Sequence, residues 1–374
     1  MKSIVLFGCP RPVGGGNTES GAVALLWRSL EIPVTVLPAS KEAADNPWPA
    51  RLAAAGCKIT KPCPPDRPPK WLKDSVVVDF AIERCVRLWP ELRRRNCKLI
   101  HLPCMNVCFA HETAAFRNCA PSAVVFQSRF QQHQVGLQYG LWGVDETRQH
   151  IIHGALDQEA FPLRTLPHCS PVEPFIVGTI GRDVGAKWPH WLLPILSAVR
   201  AQTPAQGLWL GWTKAMEHFS GPLPPWITAH RPGSVPVATM LACCHALLAL
   251  PDCLENWPRI TLEAMSSGVP IVTWNRGGFA EQLHNGETAL LVDNEQEAID
   301  ALTRLATDEP FRGKLIRNAQ QALKTLTDPG IIGRQWKKLF ASLDERKTVN
   351  SEPHETIIKT VADSPIRPLH AASF

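Results

Sequence analysis

Two carboxylates, Glu255 and Glu263, lie eight positions apart around the stretch Asn256-Trp257-Pro258-Arg259-Ile260-Thr261-Leu262. An apolar run at 246–250 reads as a buried strand, and Gly268 followed by Val269-Pro270 leads into another at 270–274. Glu255 then falls in the loop after the first strand. Glu263 falls in the first turn of a helix predicted over 261–267, which Gly268 ends. In a parallel sheet with crossover helices this junction lies at the carboxyl edge, where such folds bind ligands. Two solvated surface glutamates would not need to bracket such a junction; two carboxylates facing one ligand from different sides would. A second group of candidates is His101, Cys104, Cys108 and His111, spaced H-x2-C-x3-C-x2-H. All four are metal-capable side chains, but no C-x2-C knuckle occurs and the segment reads as a strand running into a loop. The expectation is no bound metal, with the thiols acting as small hydrophobes at a buried strand end.

The elements that must hold these residues alternate along the chain. Strands are predicted at 2–7, 33–37, 98–103, 123–127 and 148–153, with a glycine-rich loop, Gly14-Gly15-Gly16-Asn17, before a helix at 19–30. Residues 76–95 read as a helix or as a strand then a helix, and the Pro- and Ala-rich stretch 42–70 reads as irregular. Prolines cluster again at 161–173, the natural linker. A second series follows, with strands at 175–180, 207–211, 246–250, 270–274 and 289–292. Its helices are predicted at 188–201, 237–244, 261–267, 295–305, 309–325 and 332–343. Strand, glycine-rich loop, helix, strand is the opening of a βαβ unit, so the expectation is two α/β domains with parallel sheets. The first covers 1–165 and the second 166–343, and an irregular or disordered tail occupies 344–374.

The bulk numbers suit this organisation. The chain has 374 residues, 45% hydrophobic and 20% charged, a globular profile large enough for two cores. A net charge of +5 is too mild for a dedicated nucleic-acid binder, and the one compact basic cluster, Arg93-Arg94-Arg95, reads as a solvated helix end. The apolar run at 4–7 is too short for a signal-peptide core, and no run approaches the roughly 18 apolar residues a membrane span needs. A cytoplasmic protein with reduced thiols is therefore expected despite the 12 cysteines, and peripheral membrane contact stays open. Of the 13 tryptophans, Trp27, Trp48, Trp71, Trp89 and Trp142 fall in the first half; aromatic rings can stack on sugars or bases, and core packing is the simpler use.

The stretch from Glu255 to Val272 resembles the E-x7-E signature of glycosyltransferase family 4 and its retaining GT-B relatives, with Trp257-Pro258 where Phe-Gly is common. Further matches follow in order over most of 1–343. Gly181-Arg182 followed by Lys187 resembles the family's G-R-x4-K element, with Trp188 where a glycine is usual. Gly277-Gly278 before Glu281 resembles its glycine pair. Ile152-His153-Gly154-Ala155-Leu156-Asp157 resembles the P-N-G-V-D segment at the domain boundary, and Phe126-Gln127-Ser128-Arg129-Phe130 the V-S-x-F segment.

This resemblance implies an α/β GT-B fold, two Rossmann-like parallel-sheet domains facing a central cleft. The implied activity is transfer of a sugar from a nucleotide diphosphate sugar, UDP-sugar favoured, with retained configuration. It implies that Glu255 binds donor-sugar hydroxyls and Glu263 the ribose hydroxyls, while Arg182 and Lys187 neutralise the diphosphate leaving group. The Gly15-Gly16 loop would let the backbone approach the phosphates, and the amides of Gly277 and Gly278 at a helix N-terminus would hold phosphate or sugar oxygens. The turn at Arg231 would lie near the base. Relatives place a histidine close to the donor sugar; His101 is the candidate here, with His111 and Asn106 as competitors. No Asp-x-Asp occurs in the sequence, so neither a metal nor another cofactor is expected. The acceptor stays unassigned among a lipid carrier, a glycan, a small metabolite, a protein and a modified DNA base. Two alternatives remain at this point: a catalytically silent sugar-nucleotide binding subunit, and another GT-B enzyme such as a nucleotide-sugar epimerase or a phosphorylase.

Overall fold

A computed structural model of the chain describes residues 3–41, 45–164 and 174–345. The first sheet contains β1 (Ile4–Phe7), β2 (Val34–Leu37), β3 (Lys58–Ile59), β4 (Val76–Asp79), β5 (Lys98–His101), β6 (Ala123–Phe126) and β7 (Gln149–Ile151) in the order β3-β2-β1-β4-β5-β6-β7. The helices among them are α1 (Gly15–Ser29), α2 (Trp48–Ala54), α3 (Glu83–Arg94), α4 (Ala110–Phe116) and α5 (Arg129–Leu141). The second sheet has β8 (Phe175–Ile180), β9 (Ala205–Leu210), β10 (Ile227–His230), β11 (Ala246–Ala249), β12 (Ile271–Trp274) and β13 (Leu290–Val292), ordered β10-β9-β8-β11-β12-β13. Its helices are α6 (Leu192–Gln202), α7 (Glu217–Ser220), α8 (Val237–Cys243), α9 (Arg259–Ser267), α10 (Gly277–Gln282), α11 (Glu295–Thr307), α12 (Glu309–Leu326) and α13 (Pro329–Glu345).

Every pairing between these strands is parallel. Their composition explains this, because strands covered by helices on both faces read as unbroken apolar runs. In β1, Ile4 and Leu6 enter the core on one face of the sheet, and Val5 and Phe7 enter the core on the other. Strand order reverses between β1 and β4 and again between β8 and β11. Such switch points open a crevice at the carboxyl ends of the strands. The loops leaving β1, β8 and β11 contain Gly14-Gly15-Gly16, Arg182 with Lys187, and Glu255, respectively.

Several expectations need correction. Stretch 42–70 is not irregular throughout, since α2 and β3 lie within it and Trp48 and Leu52 are buried. Helix α1 begins at Gly15 rather than 19, directly after Gly14, whose φ of +107° suits only glycine. Helices α4 and α5 and strand β10 had no predicted counterpart. The last helix, α13, falls by sequence position in the second domain, yet its Ile332, Trp336, Leu339, Phe340 and Leu343 join the core of the first. Trp336 and Phe340 both pack edge-on against Trp27, with ring centroids 5.0 and 5.5 Å away. The chain thus crosses back, because the apolar stripe of α13 finds its cover on α1. Most of the proline-rich linker, at 165–173, and nearly all of the tail, at 346–374, lie outside the described residues. No helix among the described residues is long and apolar enough to cross a membrane.

Candidate active site

The loop after β8 turns back tightly. The Lys187 amide donates to Val184 and that of Trp188 to Gly185, both at 2.9 Å, forming a single 3-10 turn. Trp188 is fully buried, and its indole N–H donates to the Arg182 carbonyl at 2.7 Å. The tryptophan standing where a glycine was expected therefore acts as the pin of the loop. It ties Arg182 to the core while its ring lies 5.2 Å from Trp209. The Asp252 amide donates to the Ala186 carbonyl at 2.8 Å, fastening this loop to the one that carries Glu255.

Lys187 and Glu255 form an ion pair across those two loops. Burial pushes the Lys187 ammonium below its usual range; the adjacent Cys253 opposes this, and the Arg182 guanidinium reinforces it. Arg182, Lys187, Glu255 and Asn256 line a small cavity of about 40 Å³, whose other wall is the first domain's Cys104, Met105 and Asn106. Asn106 joins the walls by donating from Nδ2 to the Leu254 carbonyl at 2.9 Å. Of the sequence candidates, the structure thus brings Arg182, Lys187 and Glu255 together, with Asn106 opposite.

Glu263 lies in the second turn of α9, not the first, because the helix starts at Arg259. It is buried, and the Arg259 Nε stands 3.7 Å from its Oε1. Arg259 reaches across to the first domain, where Nη1 pairs with Glu19 of α1 and donates to the Ala155 carbonyl at 2.5 Å. Burial raises the Glu19 and Glu263 carboxyls above the usual range, with Arg259 pulling both back down. Glu19 and Arg259 were not picked out from the sequence, since neither sits in a motif position that chemistry singles out. The available signal was a glutamate placed just inside the helix after a glycine loop.

The glycine pair serves the chain itself more than a ligand. The Gly278 amide donates to the Glu255 carbonyl at 2.7 Å, and a Cβ there would overlap the Asn256 carbonyl oxygen. Gly277 has φ +62° and opens α10 against the same carbonyl. Gly278 thus fixes the Glu255 loop and has no amide left for phosphate. Glu281 also crosses the interface, accepting from the Arg129 and Phe130 amides at 2.9 Å each at the start of α5. Gly15 and Gly16 open α1 beside Arg259 and Cys104. The exposed Arg231 begins a turn whose Gly233 faces Val13 of the glycine-rich loop. Trp257, in the Phe position of the family motif, stacks on His153 with centroids 4.2 Å apart.

His101 stands apart from this group and corrects the expectation placed on it. It is fully buried, with Nδ1 2.8 Å from Asp79 Oδ2 and Nε2 3.1 Å from Glu112 Oε1. Burial pushes it down, but the two carboxylates outweigh that and raise it to about 9. Both ring nitrogens are committed, so it cannot exchange protons with a ligand in the cleft. Burial also pushes the Cys104 and Cys108 thiols up to about 12. Among the described residues no three His, Cys, Asp or Glu side chains converge as a metal site. Trp27, Trp48, Trp89 and Trp142 are core residues, and Trp71 is 48% exposed.

Comparison with known proteins follows the same lines. Residues 228–322 match the family "Glycosyl transferases group 1". A D-inositol 3-phosphate glycosyltransferase of Arthrobacter sp. is 30% identical over 95 residues, which are 25% of this chain and 23% of that protein. The chain therefore spans about a quarter of the length of that curated relative. Over nearly the whole chain the fold is similar to that of Anabaena Alr3699/HepE in complex with UDP and glucose. There the TM-score is 0.71 at 16% identity, covering 91% of this chain and 100% of that one. It is also similar to a glycosyltransferase from Rickettsia africae, with a TM-score of 0.67 at 12% identity over 92% and 99% of the two chains. Two parallel-sheet domains, the second with Arg182, Lys187 and Glu255 at its switch point, and a group 1 segment at 228–322, make this a chain of GT-B glycosyltransferase fold.

Proposed function

We propose that the chain is a retaining glycosyltransferase that moves a sugar from a UDP-sugar to an acceptor hydroxyl. The observation that carries this reading is the Lys187–Glu255 ion pair beside Arg182 in a cavity walled by both domains. Two cations at a switch point suit a diphosphate, since each charge-assisted hydrogen bond to a phosphate oxygen contributes roughly 1.5–3 kcal/mol. The sequence contains no Asp-x-Asp, and Arg182 with Lys187 supplies the positive charge. The complexed UDP and glucose of the Anabaena neighbour support a nucleotide-sugar donor.

In this mechanism the bond between the sugar's anomeric carbon and the β-phosphate oxygen breaks. The acceptor hydroxyl attacks the same face and passes its proton to the departing phosphate. Arg182 and Lys187 stabilise the charge that develops on that phosphate. Glu255, held by Lys187 and by the Gly278 amide beneath its own backbone carbonyl, accepts from the donor sugar's hydroxyls. Glu263 accepts from the ribose hydroxyls. The two domains enclose the reaction and keep bulk water out, which favours transfer over hydrolysis.

A screen of UDP-, GDP- and ADP-sugars with nucleotide release as readout tests the reading. Slow release from a UDP-sugar that disappears in Glu255→Ala is the expected result. Thermal stabilisation by UDP with no release, even when acceptors are supplied, would instead favour a sugar-nucleotide binding subunit without turnover.

A further inference from the structure

We propose that Glu19, on the first domain, positions Glu263 of the second by holding the Arg259 guanidinium away from it. This rests on reading Glu263 as a contact to the donor ribose.

Arg259 and Glu263 are four residues apart on α9, the spacing at which opposite charges on one helix face pair directly. They form only a long ion pair. Their nearest approach is 3.7 Å, beyond a hydrogen bond, while Arg259 Nη1 is in contact with Glu19 and with the Ala155 carbonyl. Arg259 is only 7% exposed, and its Nε and Nη2 have no hydrogen-bond partner. Buried donors left unpaired are unfavourable, so something must hold the guanidinium in this orientation. Glu19 is built to do so. Its Oε1 accepts from the Ala155 amide at 3.0 Å, and Gly154 leaves the room its other oxygen occupies, which a Cβ would fill.

As a result, the Glu263 carboxylate is near a cation that balances its charge, yet the contact is long and leaves its oxygens able to accept from a ligand. That arrangement suits accepting two hydroxyl protons from a vicinal diol. The two buried carboxyls share one guanidinium, and burial raises both. With Glu19 gone, the nearest negative charge to Arg259 is Glu263, one turn along the same helix. The direct pair then forms and takes the lone pairs that a diol would use.

The test compares binding of UDP and of 2′,3′-dideoxy-UDP by calorimetry in the full chain, in Glu19→Leu and in Glu19→Leu/Arg259→Met. The double variant removes the cation together with its anchor, so no guanidinium remains to cover Glu263. Glu19→Leu is expected to weaken UDP about 10-fold and to abolish the preference for UDP over the dideoxy compound. The double variant is expected to recover most of both. A Glu19 that only braces the fold predicts instead that the second substitution adds to the loss. Equal UDP binding by Glu19→Leu and the unsubstituted chain, or a double variant no better than the single, overturns the assignment. Should Glu19→Leu fail to fold, Glu19→Gln with and without Arg259→Met gives the same comparison. An unsubstituted chain that binds none of UDP, GDP or ADP overturns the donor reading itself, and this assignment with it, a pattern distinct from the others.

Discussion

The triad Asp79–His101–Glu112 predicts that the first domain loses stability as the solution becomes mildly alkaline. All three side chains are buried, and the histidine is raised from an ordinary 6.5 to about 9 because the two carboxylates outweigh the effect of burial. The folded protein therefore holds the proton more tightly than the unfolded chain does. Its stabilising contribution is complete below pH 6.5 and falls as pH rises towards 9. At about 1.4 kcal/mol for each pH unit between those values, the proton contributes about 3 kcal/mol, of which about 2 kcal/mol is lost between pH 6.5 and pH 8.5. Stopping at 8.5 keeps the buried thiols out of the measurement, since they also rise above their ordinary 9.0 and would add an alkaline loss of their own. Urea unfolding at intervals across this window, for the chain and for Asp79→Asn/Glu112→Gln, isolates the effect. The variant removes both anions, so its buried imidazole stays neutral and its alkaline loss disappears. A flat profile in the unsubstituted chain, or the same loss in the variant, would show that His101 is not an imidazolium held by two carboxylates. Proton titration of the His101 ring by NMR gives an independent check, with a midpoint near 9 expected.

Other perturbations test the site and the fold separately. Lys187→Ala and Glu255→Ala should each lower turnover by roughly 10²-fold while the thermal midpoint changes little, and near-normal rates in both would refute the site. Trp188→Phe keeps the ring in the core but removes the hydrogen bond to the Arg182 carbonyl. A stability loss of about 1 kcal/mol is expected, with kcat/KM falling more than that loss explains, measured by denaturation and steady-state kinetics side by side. Trp336→Ala should destabilise the first domain by about 3–5 kcal/mol, although the residue lies at the far end of the chain. Hydrogen exchange in α1 faster than in the second sheet would be the sign, and unchanged protection at Trp27 would contradict the shared core.

Much of this molecule was legible in the amino-acid sequence because its signals are local. Uninterrupted apolar runs such as Ile4-Val5-Leu6-Phe7 identify doubly covered parallel strands, and the alternation of such runs with helices predicts two α/β domains. Arg182 and Lys187 were legible through their resemblance to the G-R-x4-K element, and their meeting with Glu255 follows because loops at carboxyl ends of strands converge at a switch point. Helices α4 and α5 escaped that reading because their apolar faces are short and interrupted by polar residues such as Gln131, which is buried and serves backbone carbonyls.

Whatever depended on contacts between distant segments was decided by the tertiary structure alone. The sequence could nominate His101 as a strand-end histidine near the cleft, but only packing shows Asp79 and Glu112 closing on its two nitrogens. Nothing local says that α13 belongs to the first core, because an amphipathic stripe specifies that it must be covered, not by what. The same holds for Glu19 and Arg259, which are 240 positions apart and meet in a buried pair. Strand and helix formation are settled by neighbours a few residues away, whereas ion pairs and covered stripes are settled by which surfaces the whole chain brings together. The fold class and the cationic loop thus belong to the sequence, and the wiring between the two domains belongs to the packing.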